Sequence, residues 1–309
     1  MMAGKIVILG VFVADTAYRA DRAPRMGETI LGNDFALGPG GKGSNQAVAA
    51  ARLGADTAFL SKLGVDPFAD MALKTWEEAG VKPMVEQSSE SYTGAAYIFV
   101  EEATGDNAII ICPGVAATIS AADIEARSAL IESAAVFVTQ LEQPIEAAVR
   151  ALEIAKQAGV CTVLNPAPAN SLPDGMLALC EYVTPNETET EGLTGVKVET
   201  VDDARRAADV FLAKGVGAAV ITLGDKGALY HSSQKSELVP AVAVGPVVET
   251  TGAGDAFNGG FATALARGDE PLAAVRFGCA AAGISVTRPG TAPSMPTLAE
   301  VEALIGSSG

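Results

Sequence analysis

From about residue 113 onward, short apolar runs alternate with segments of helical period, and this alternation constrains the fold more than any other feature of the chain. Strands that alternate with helices form βαβ units, whose strands lie parallel in one sheet with helices on both faces. The predicted strands are 134–141, 160–164, 182–183 and 218–223, and the predicted helices are 144–158, 202–214, 254–267, 271–287 and 297–304. The sequence therefore predicts an α/β fold around a mostly parallel sheet.

Two earlier segments depart from this alternation. Residues 11–35 contain proline and glycine but no helical period, and residues 92–111 have a β pattern on either side of a turn at 104–107. We expect these pieces to pair into a small sheet beside the main one. No repeat, low-complexity tract or linker is evident, so residues 1–309 are predicted to form a single domain, in which segments of about 11–37 and 91–112 build the small sheet.

The composition supports this fold class. Hydrophobic residues make up 49% of the 309 residues and aromatic residues only 5%, so the core must consist mainly of Ala, Val, Leu and Ile. The apolar run at 6–14 resembles a short signal sequence, but it is too short to span a bilayer and also fits a first buried strand. We interpret it as that strand.

Charge and reactive residues exclude several kinds of function. The net charge of -16 argues against nucleic acid and anionic membranes as partners, because both would be repelled. The four cysteines lack CxxC spacing, which predicts buried free thiols in a cytoplasmic protein. They are Cys112, Cys161, Cys180 and Cys279. The only histidine, His231, is predicted in a surface turn, so histidine-based catalysis and metal binding are not expected.

A glycine-rich segment at 38–46 leads into an Ala-rich helix. It matches GxGxxG, but the residues before it make a poor buried strand, and Lys42 is not followed by the Ser or Thr of a Walker A motif. A turn of this kind lets the backbone approach a ligand closely, and the side chains of Lys42 and Asn45 suit the hydroxyl groups of a small polar substrate. A purely structural helix entry remains an equal alternative.

The segment 250–260, TTGAGDAFNGG, is the strongest candidate for chemistry. Its glycines place several backbone N–H groups at a helix N-terminus, where they stabilise an anion such as a transferring phosphoryl group. Asp255 lies beside them and is suited to accept a hydroxyl proton. Helix capping would explain Asp255 alone, but not the small residues before it.

Two further segments follow predicted strands. Asn186 and Glu189 are three residues apart, so on a helical first turn they share a face and could orient water around Mg2+. An ordinary acidic helix start is the alternative. The glycine turn at 224–227 follows the strand at 218–223, at the sheet edge where nucleotides bind in parallel sheets, although a plain β-turn has the same pattern.

Taken together, these segments resemble the ribokinase family of PfkB-type sugar kinases over essentially the whole chain. The motifs that carry the resemblance are 40–46, 165–168, 184–189, 221–224 and 251–255, in the family's order and spacing. The resemblance implies a Rossmann-like α/β sandwich whose small β-sheet is a lid and a homodimer contact. It also implies ATP-dependent phosphorylation of the 5-hydroxyl of ribose or a related pentose.

The resemblance also assigns roles to individual residues. The sugar site would comprise Asp15, Gly41, Lys42, Asn45, Glu142 and Asp255. The catalytic set would be the base Asp255 and an anion hole of Gly252, Ala253 and Gly254. The ATP site would comprise Asn186, Thr222, Leu223, Gly224, Asp225, Lys226, Gly227, Gly254 and Cys279. Mg2+ would be held through water by Asn186 and Glu189.

Two positions depart from the family's pattern. An activating K+ would lie among Glu249, Thr251, Ser285, Arg288, Gly290 and Ser294, but Glu249 replaces the usual Asp. Val13 stands where ribokinases commonly have an Asn. A sugar hydroxyl buried against valine would be unpaired, at a cost of about 1–3 kcal/mol, so we expect a reduced preference for ribose and better tolerance of 2-deoxyribose.

Three alternative functions are weighed against this hypothesis. A nucleoside kinase would need an aromatic surface on which a base stacks, and Phe12 and Phe99 lie in the predicted lid. An NAD-dependent oxidoreductase would use the GxGxxG match as a cofactor site. A non-catalytic sugar-binding protein could keep the same fold, but the pairing of Asp255 with its glycines argues against it.

Overall fold

Nine strands form one large sheet in the computed structural model, which describes residues 4–306 of the chain. From one edge to the other they are β13 (Ser236–Val239), β12 (Ala228–Ser232), β11 (Ala218–Thr222), β10 (Tyr182–Val183), β9 (Cys161–Leu164), β8 (Val136–Thr139), β1 (Lys5–Leu9), β4 (Asp56–Leu63) and β5 (Lys82–Gln87). Neighbours from β11 to β5 are parallel, whereas β12 and β13 are antiparallel additions at one edge. The carboxyl ends of the parallel strands therefore meet at one edge of the sheet.

Helices cover both faces of this sheet. They are α1 (Lys42–Arg52), α2 (Pro67–Ala79), α3 (Ala121–Glu125), α4 (Ser128–Glu132), α5 (Ile145–Gln157), α6 (Glu187–Thr194), α7 (Val201–Ala213), α8 (Ala253–Ala266), α9 (Pro271–Ser285) and α10 (Leu298–Gly306). Side chains alternate along each strand, so Ile6 and Ile8 of β1 pack with α1, α2, α8 and α9, while Val7 and Leu9 pack with α3, α5 and α7. Two Ala-rich layers thus sandwich the sheet.

A second sheet has four strands in the order β3-β2-β6-β7. They are β3 (Asp34–Gly40), β2 (Val13–Ala20), β6 (Thr93–Glu101) and β7 (Asn107–Gly114). Residues paired across strands share a face, so Asp15 lies on the face of Ala96, and Tyr18 lies on the opposite face with Phe35 and Phe99. One face of the small sheet therefore carries Asp15 and the other carries aromatic side chains.

The expected alternation of strands and helices is confirmed, with ends that shift by one or two residues. The predicted α/β sandwich with an additional small sheet is also confirmed. Within residues 4–306, no helix is both long enough and apolar enough to cross a membrane.

Three predictions about single residues are wrong. His231 lies in strand β12, where pairing with β13 keeps the chain extended. Its Nδ1 is 2.9 Å from Ser236 Oγ and its Nε2 is 3.0 Å from Asp209 Oδ1. Cys112 is exposed, because β7 is at the open edge of the small sheet, and Cys161 is only partly buried.

Candidate active site

Helix α1 begins where the small sheet ends, and glycines allow this start to lie against strand β1. Gly41 precedes α1 with φ of 87°, and a Cβ there would lie 2.5 Å from the carbonyl oxygen of Val11. A Cβ on Gly43 would lie 2.7 Å from the Cα of Gly10 and from Oε1 of Gln140. Contact between chain segments therefore accounts for Gly43, which the sequence pattern assigned to close approach of a ligand.

Asp255 lies in the first turn of α8 and is buried, with 8% of its surface exposed. Its Oδ2 accepts a hydrogen bond from Asn45 Nδ2 at 2.9 Å, and its Oδ1 accepts one from Gln46 Nε2 at 3.0 Å. The N-cap of α8 is Gly252, with no side-chain cap. Asp255 therefore does not cap its own helix, and its carboxylate is held by α1.

The glycines before Asp255 leave room for a ligand. Gly252 has φ of 83°, in the left-handed region that favours glycine. A Cβ on Gly254 would have no heavy atom within 4 Å. The first turn of α8 thus presents its N-terminal amides next to open space, which suits an anion beside the buried carboxylate of Asp255.

One ammonium group lies among several carboxylates. The charge of Lys42 interacts with Asp255, Glu142, Glu189 and Asp15. Burial lowers the pKa of Lys42, but these carboxylates outweigh it, so its pKa is raised and the amine stays charged. A cation surrounded in this way suits hydroxyl or phosphate oxygens that enter between it and the carboxylates.

The same surroundings raise the pKa of each carboxyl. Burial, reinforced by the negative charge of Asp255, raises the pKa of Asp15 to about 6. Burial raises the pKa of Glu142 to about 7, opposed by Lys42. For Asp255, burial raises the pKa, while Lys42 and the amides of Asn45 and Gln46 lower it. Such perturbed acids gathered around one lysine are typical of an active site.

Asn45 has an oxygen that nothing in the described chain satisfies. A carboxylate only accepts hydrogen bonds, so the amide nitrogen of Asn45 must face Asp255. Its Oδ1 is buried and has no hydrogen-bond partner among residues 4–306. The nitrogen of the same amide is 2.9 Å from Asp255 Oδ2. The unpaired buried Oδ1 is therefore suited to receive a substrate hydroxyl near the carboxylate.

Asn186 and Glu189 form a capping box at the start of α6. Asn186 Oδ1 accepts from the backbone N–H of Glu189 at 2.8 Å, and Glu189 Oε2 accepts from that of Asn186 at 2.9 Å. The alternative interpretation as a helix start is therefore correct. Glu189 is also nearly buried beside Lys42 and Asp255, so its carboxylate faces the site as well. The carboxylate oxygens of Glu189 are suitable ligands for Mg2+ bound to the phosphates of a nucleotide. The ion would neutralise the charge of those phosphates.

The proposed nucleotide loop follows β11 and is tied to the chain before α6. Both the backbone N–H and the hydroxyl of Thr222 donate to the carbonyl of Pro185, at 2.9 and 3.4 Å. Gly224–Lys226 form a single helical turn, and Lys226 donates to the carbonyl of Glu199. These contacts bring the loop Thr222, Leu223, Gly224, Asp225, Lys226 and Gly227 next to Asn186. Cys279 is buried in α9, and its contact with ATP stays a prediction.

The residues proposed for K+ come from two segments that meet beyond α9. Glu249 Oε2 accepts from the backbone N–H of Gly290 at 2.8 Å, and the backbone N–H of Glu249 donates to Val286. The hydroxyls of Ser285 and Ser294 donate to nearby carbonyls and keep lone pairs. The donor set is oxygen-rich, which fits an alkali cation. Within residues 4–306, no group of three or more His, Cys, Asp or Glu gathers to hold a metal ion.

Sequence patterns gave no role to several amides behind the site. Gln46 bridges Asp255 and Asn165, and Gln140 donates to Gln46 Oε1 at 2.6 Å. Asn258 lies one turn after Asp255 and accepts from a threonine of the strand ends. The available signal was weak: Gln46 and Asn258 are amide residues directly before the Ala-rich part of α1 and a glycine pair of α8.

A helix start that suits an anion, next to a buried carboxylate, fits a phosphotransferase that acts on a small hydroxyl compound. The model of the pfkB family carbohydrate kinases matches residues 3–298. The chain belongs to this family, and it is an ATP-dependent carbohydrate kinase.

Individual relatives are similar along nearly their whole length. A ribokinase of Haemophilus influenzae is 40% identical over 296 residues, which covers 96% of both chains. A deoxyribokinase of Salmonella typhi is 37% identical over 295 residues, covering 95% of this chain and 96% of the relative. The structure of Arabidopsis thaliana ribokinase complexed with ribose and ATP superposes with a TM-score of 0.92 at 31% identity, covering 98% of this chain and 99% of that one.

Family membership removes two of the alternatives. The strand before the glycine-rich segment is β3, which belongs to the small sheet and is largely exposed, so the context of a dinucleotide site is absent. The NAD-dependent oxidoreductase is therefore wrong as a hypothesis, and so is the non-catalytic sugar-binding protein.

Proposed function

We propose that this enzyme transfers the γ-phosphoryl group of ATP to the 5-hydroxyl of ribose or a closely related pentose. One observation carries the proposal: the buried carboxylate of Asp255 lies between the open N-terminal turn of α8 and the sugar-type side chains of α1. The relatives named ribokinase and deoxyribokinase support the choice of a pentose.

In this proposal Asp255 accepts the proton of the sugar hydroxyl as its oxygen attacks phosphorus. The amides of Gly252, Ala253 and Gly254 face the charge that develops on the transferring group. Lys42 and the free Oδ1 of Asn45 orient sugar hydroxyls, together with the carboxylates of Asp15 and Glu142. Mg2+, held through water by Asn186 and Glu189, would neutralise the phosphates of ATP.

A nucleoside is a poorer substrate for this site than a free sugar. Phe12 is buried and packs edge-on against Trp76, with ring centroids 5.8 Å apart. Phe99 lies on the face of the small sheet opposite to Asp15. Neither ring is therefore available to stack a base over the sugar site, although both were considered for that role.

A 2-deoxypentose is the second candidate, and Val13 favours it. Val13 and Asp15 are two residues apart in β2, so their side chains leave the same face of the strand. Val13 is 2% exposed and can neither donate nor accept a hydrogen bond. A deoxygenated carbon can pack against this side chain without leaving a hydroxyl unpaired.

The test is an ADP-release assay of the purified enzyme with Mg2+ and ATP over pentoses, hexoses and nucleosides. We expect ribose or 2-deoxyribose to give the highest kcat/KM, with the product identified as the 5-phosphate by phosphorus NMR. A hexose or a nucleoside as the best substrate, or phosphate at another hydroxyl, would overturn the proposed substrate.

We infer that K+ activates the enzyme through Glu249, Thr251, Ser285, Arg288, Gly290 and Ser294. The hydrogen bond from Gly290 N–H to Glu249 supports this inference, because it joins the two segments that would supply the oxygens. Replacing K+ by Na+ at equal ionic strength should lower kcat. Equal rates in both salts would contradict the inference.

We propose that two copies of the chain associate through the aromatic face of the small sheet. Residues paired across its strands place six large side chains on the face opposite to Asp15, and these are Tyr18, Phe35, Leu37, Tyr97, Phe99 and Ile110. Most of them are exposed, with Ile110 at 63%. A contiguous apolar face of this kind is typical of a protein–protein interface.

The proposed dimer can be tested by light scattering after size-exclusion chromatography. Ile110→Asp on the aromatic face should convert a dimer to a monomer, whereas Ile109→Asp on the other face should not do so. A wild-type monomer at micromolar concentration would contradict the proposal.

We infer a cytoplasmic location. The cysteines within residues 4–306 are all free thiols, which suits a reducing compartment where ATP is available. Cell fractionation with a tagged full-length chain would test this, and recovery from the medium would contradict it.

A further inference from the structure

A network of buried amide side chains lies directly behind Asp255. Gln46, fully buried in the first turns of α1, donates from Nε2 to Asp255 Oδ1 and to Asn165 Oδ1, both at 3.0 Å. Its Oε1 accepts from Gln140 Nε2 at 2.6 Å. Every hydrogen-bonding atom of the Gln46 side chain thus has a partner.

Chemistry fixes the orientation of this amide. The Asp255 carboxylate only accepts hydrogen bonds, so the nitrogen of Gln46 must face it. Gln140 then supplies a donor to the oxygen on the other side. A flipped Gln46 would place its oxygen against the carboxylate and its nitrogen against another nitrogen. The side-chain amide of Gln46 therefore has a single favourable orientation.

The network continues from Asn165 back to α8, the helix that carries Asp255. Asn165 donates to the carbonyl of Thr184 at 3.0 Å, and the Thr184 hydroxyl donates to Asn258 Oδ1 at 2.6 Å. Asn258 Nδ2 donates to the carbonyl of Gly254 at 2.8 Å. The ends of β9 and β10 and the first turn of α8 are thereby joined around Asp255 in one closed set of hydrogen bonds.

The two oxygens of Asp255 differ in their surroundings. Oδ1 faces Gln46 and the amides behind it, whereas Oδ2 faces Asn45, whose other atom is an unpaired acceptor. Only the Oδ2 side is therefore next to a group that still needs a hydroxyl partner. The proton of the substrate would arrive on that side.

We propose that Gln46 is a positioning residue, which holds Oδ1 of Asp255 so that Oδ2 takes the proton of the sugar hydroxyl. The inference rests on the proposed function. In the reaction the sugar oxygen forms a bond to the γ-phosphorus, the bond from that phosphorus to the bridging oxygen of ADP breaks, and the proton passes to Oδ2 and later to solvent. Gln46 itself gains and loses nothing.

The charged groups around Asp255 influence its pKa. Lys42 favours the ionised form, and Asp15, Glu142 and Glu189 interact with Asp255 through negative charge. The amide bond from Gln46 favours the ionised form, since it is made to a negative oxygen. Removing that donor should therefore raise the pKa of Asp255.

The test compares the pH dependence of kcat in the wild-type enzyme and in Gln46→Met, using the best sugar of the substrate panel. Methionine keeps the length of the side chain but donates no hydrogen bond. We expect kcat at pH 6 to fall about 30-fold, the loss to shrink to less than about 5-fold at pH 9, and the sugar KM to change less than about 3-fold. If kcat of Gln46→Met falls at low pH with the same apparent pKa as kcat of the wild type, the inference is overturned. This fall is called the acid limb below.

Thr263→Val is the matched control. Thr263 is buried in α8, the helix that carries Asp255, and its hydroxyl donates to the carbonyl of Gly259 rather than to any amide side chain described above. Its replacement removes one buried hydrogen bond and should leave the pH profile unchanged. If Thr263→Val shifts the acid limb as much as Gln46→Met does, the effect is structural and the inference fails.

A second variant covers the case in which Gln46→Met does not fold. Gln140→Met leaves Gln46 in place but removes the donor to its Oε1, so the acid limb should move in the same direction by a smaller amount. An unmoved limb in a folded Gln140→Met enzyme would then overturn the inference. A wild-type enzyme that phosphorylates no pentose defeats the proposed function instead, so the two failures are distinguishable.

Discussion

The carboxylate of Glu142 accepts a hydrogen bond from the backbone N–H of Lys42, with 2.8 Å between Oε2 and the nitrogen. The bond joins the end of β8 to the first residue of α1, across 100 positions of sequence. It places the carboxylate beside the ammonium group of the same lysine, and both groups interact with Asp15 and Asp255.

The first prediction concerns this pair. Glu142→Gln keeps an acceptor for the Lys42 amide but removes the negative charge that a sugar hydroxyl would meet. Loss of a charge-assisted hydrogen bond should raise the sugar KM about tenfold, or about 1.4 kcal/mol, with a smaller change in kcat. Steady-state kinetics measures both. Glu146→Gln, at an exposed position of α5, is the control and should match the wild type.

The second prediction concerns stability and pH without sugar. Burial raises the pKa of Asp15 to about 6 and that of Glu142 to about 7, above their ordinary values of 3.8 and 4.5. The folded state therefore binds more protons than the unfolded state between these values. The protonated carboxyls contribute their full share to the free energy of unfolding below pH 3.8 and 4.5, the ordinary pKa values. This contribution is lost as the pH rises through the folded-state pKa values of about 6 and 7.

The measurement is thermal unfolding from pH 5.5 to 8. The Tm of the wild type should fall more steeply with rising pH than that of the double variant Asp15→Asn and Glu142→Gln. Glu300, whose pKa is lowered to about 2 by Arg288, adds no slope in this range. Equal slopes in the wild type and the double variant would contradict the assignment.

The third prediction concerns the base. Asp255→Asn should lower kcat by at least ~10²-fold, because the amide cannot accept the hydroxyl proton. Sugar binding, measured by calorimetry, should survive, because Lys42, Asp15 and Glu142 still offer their charged groups to the sugar hydroxyls. Asp269→Asn is the control, because Asp269 lies three residues after the end of α8 and pairs with Arg267 rather than with any group of the site. Retained turnover in Asp255→Asn would place the base elsewhere.

The fourth prediction separates two glycines of the same turn. Gly254→Ala meets no heavy atom within 4 Å, so the fold should tolerate it, but the methyl group would enter the space proposed for the phosphoryl group. We expect about a tenfold lower kcat/KM for ATP, or about 1.4 kcal/mol, with an unchanged Tm. Gly252→Ala should instead destabilise the fold by about 1–2 kcal/mol, because φ there is 83°.

Unfolding curves and ATP kinetics of the two alanine variants decide this comparison. If Gly254→Ala lowers Tm as much as Gly252→Ala does, the open space in front of Gly254 is not the phosphoryl site.

The fifth prediction concerns the choice of pentose. Val13→Asn should raise kcat/KM for ribose relative to 2-deoxyribose by about 5- to 150-fold, the equivalent of about 1–3 kcal/mol for pairing one buried hydroxyl. Val13→Ala, which adds no hydrogen-bonding group, should leave the ratio within about twofold. An unchanged ratio in Val13→Asn would show that this side chain does not meet the distinguishing hydroxyl.

Much of the architecture was predictable because it depends on local patterns. The apolar period placed the strands that end near Asp255 and the helices between them. Asp255, Lys42 and Asn45 were found because each lies in a glycine-rich segment at the start of a predicted helix. The capping interpretation of Asp255 was excluded by the structure, in which Gly252 is the N-cap and the Asp255 carboxylate pairs with Asn45, 210 positions earlier in the chain.

The remaining features depend on distances that no local pattern encodes. Gln46 meets Gln140 across 94 positions and Asp255 across 209. Phe12 was expected near the lid surface, but it turns into the core because Trp76 of α2 provides an apolar partner. Such outcomes follow from the packing of whole elements and become visible only in three dimensions.

The contact between Gly10 and Gly43 has a mechanical consequence. Because not even a methyl group fits between them, the start of α1 lies in direct backbone contact with the residue that follows β1. Lys42 and Asn45 belong to α1, whereas Asp15 belongs to β2 of the small sheet. In the proposed function, a pentose would therefore contact two separate parts of the fold, α1 on the large sheet and β2 of the small sheet, and the distance between them would limit the size of the sugar.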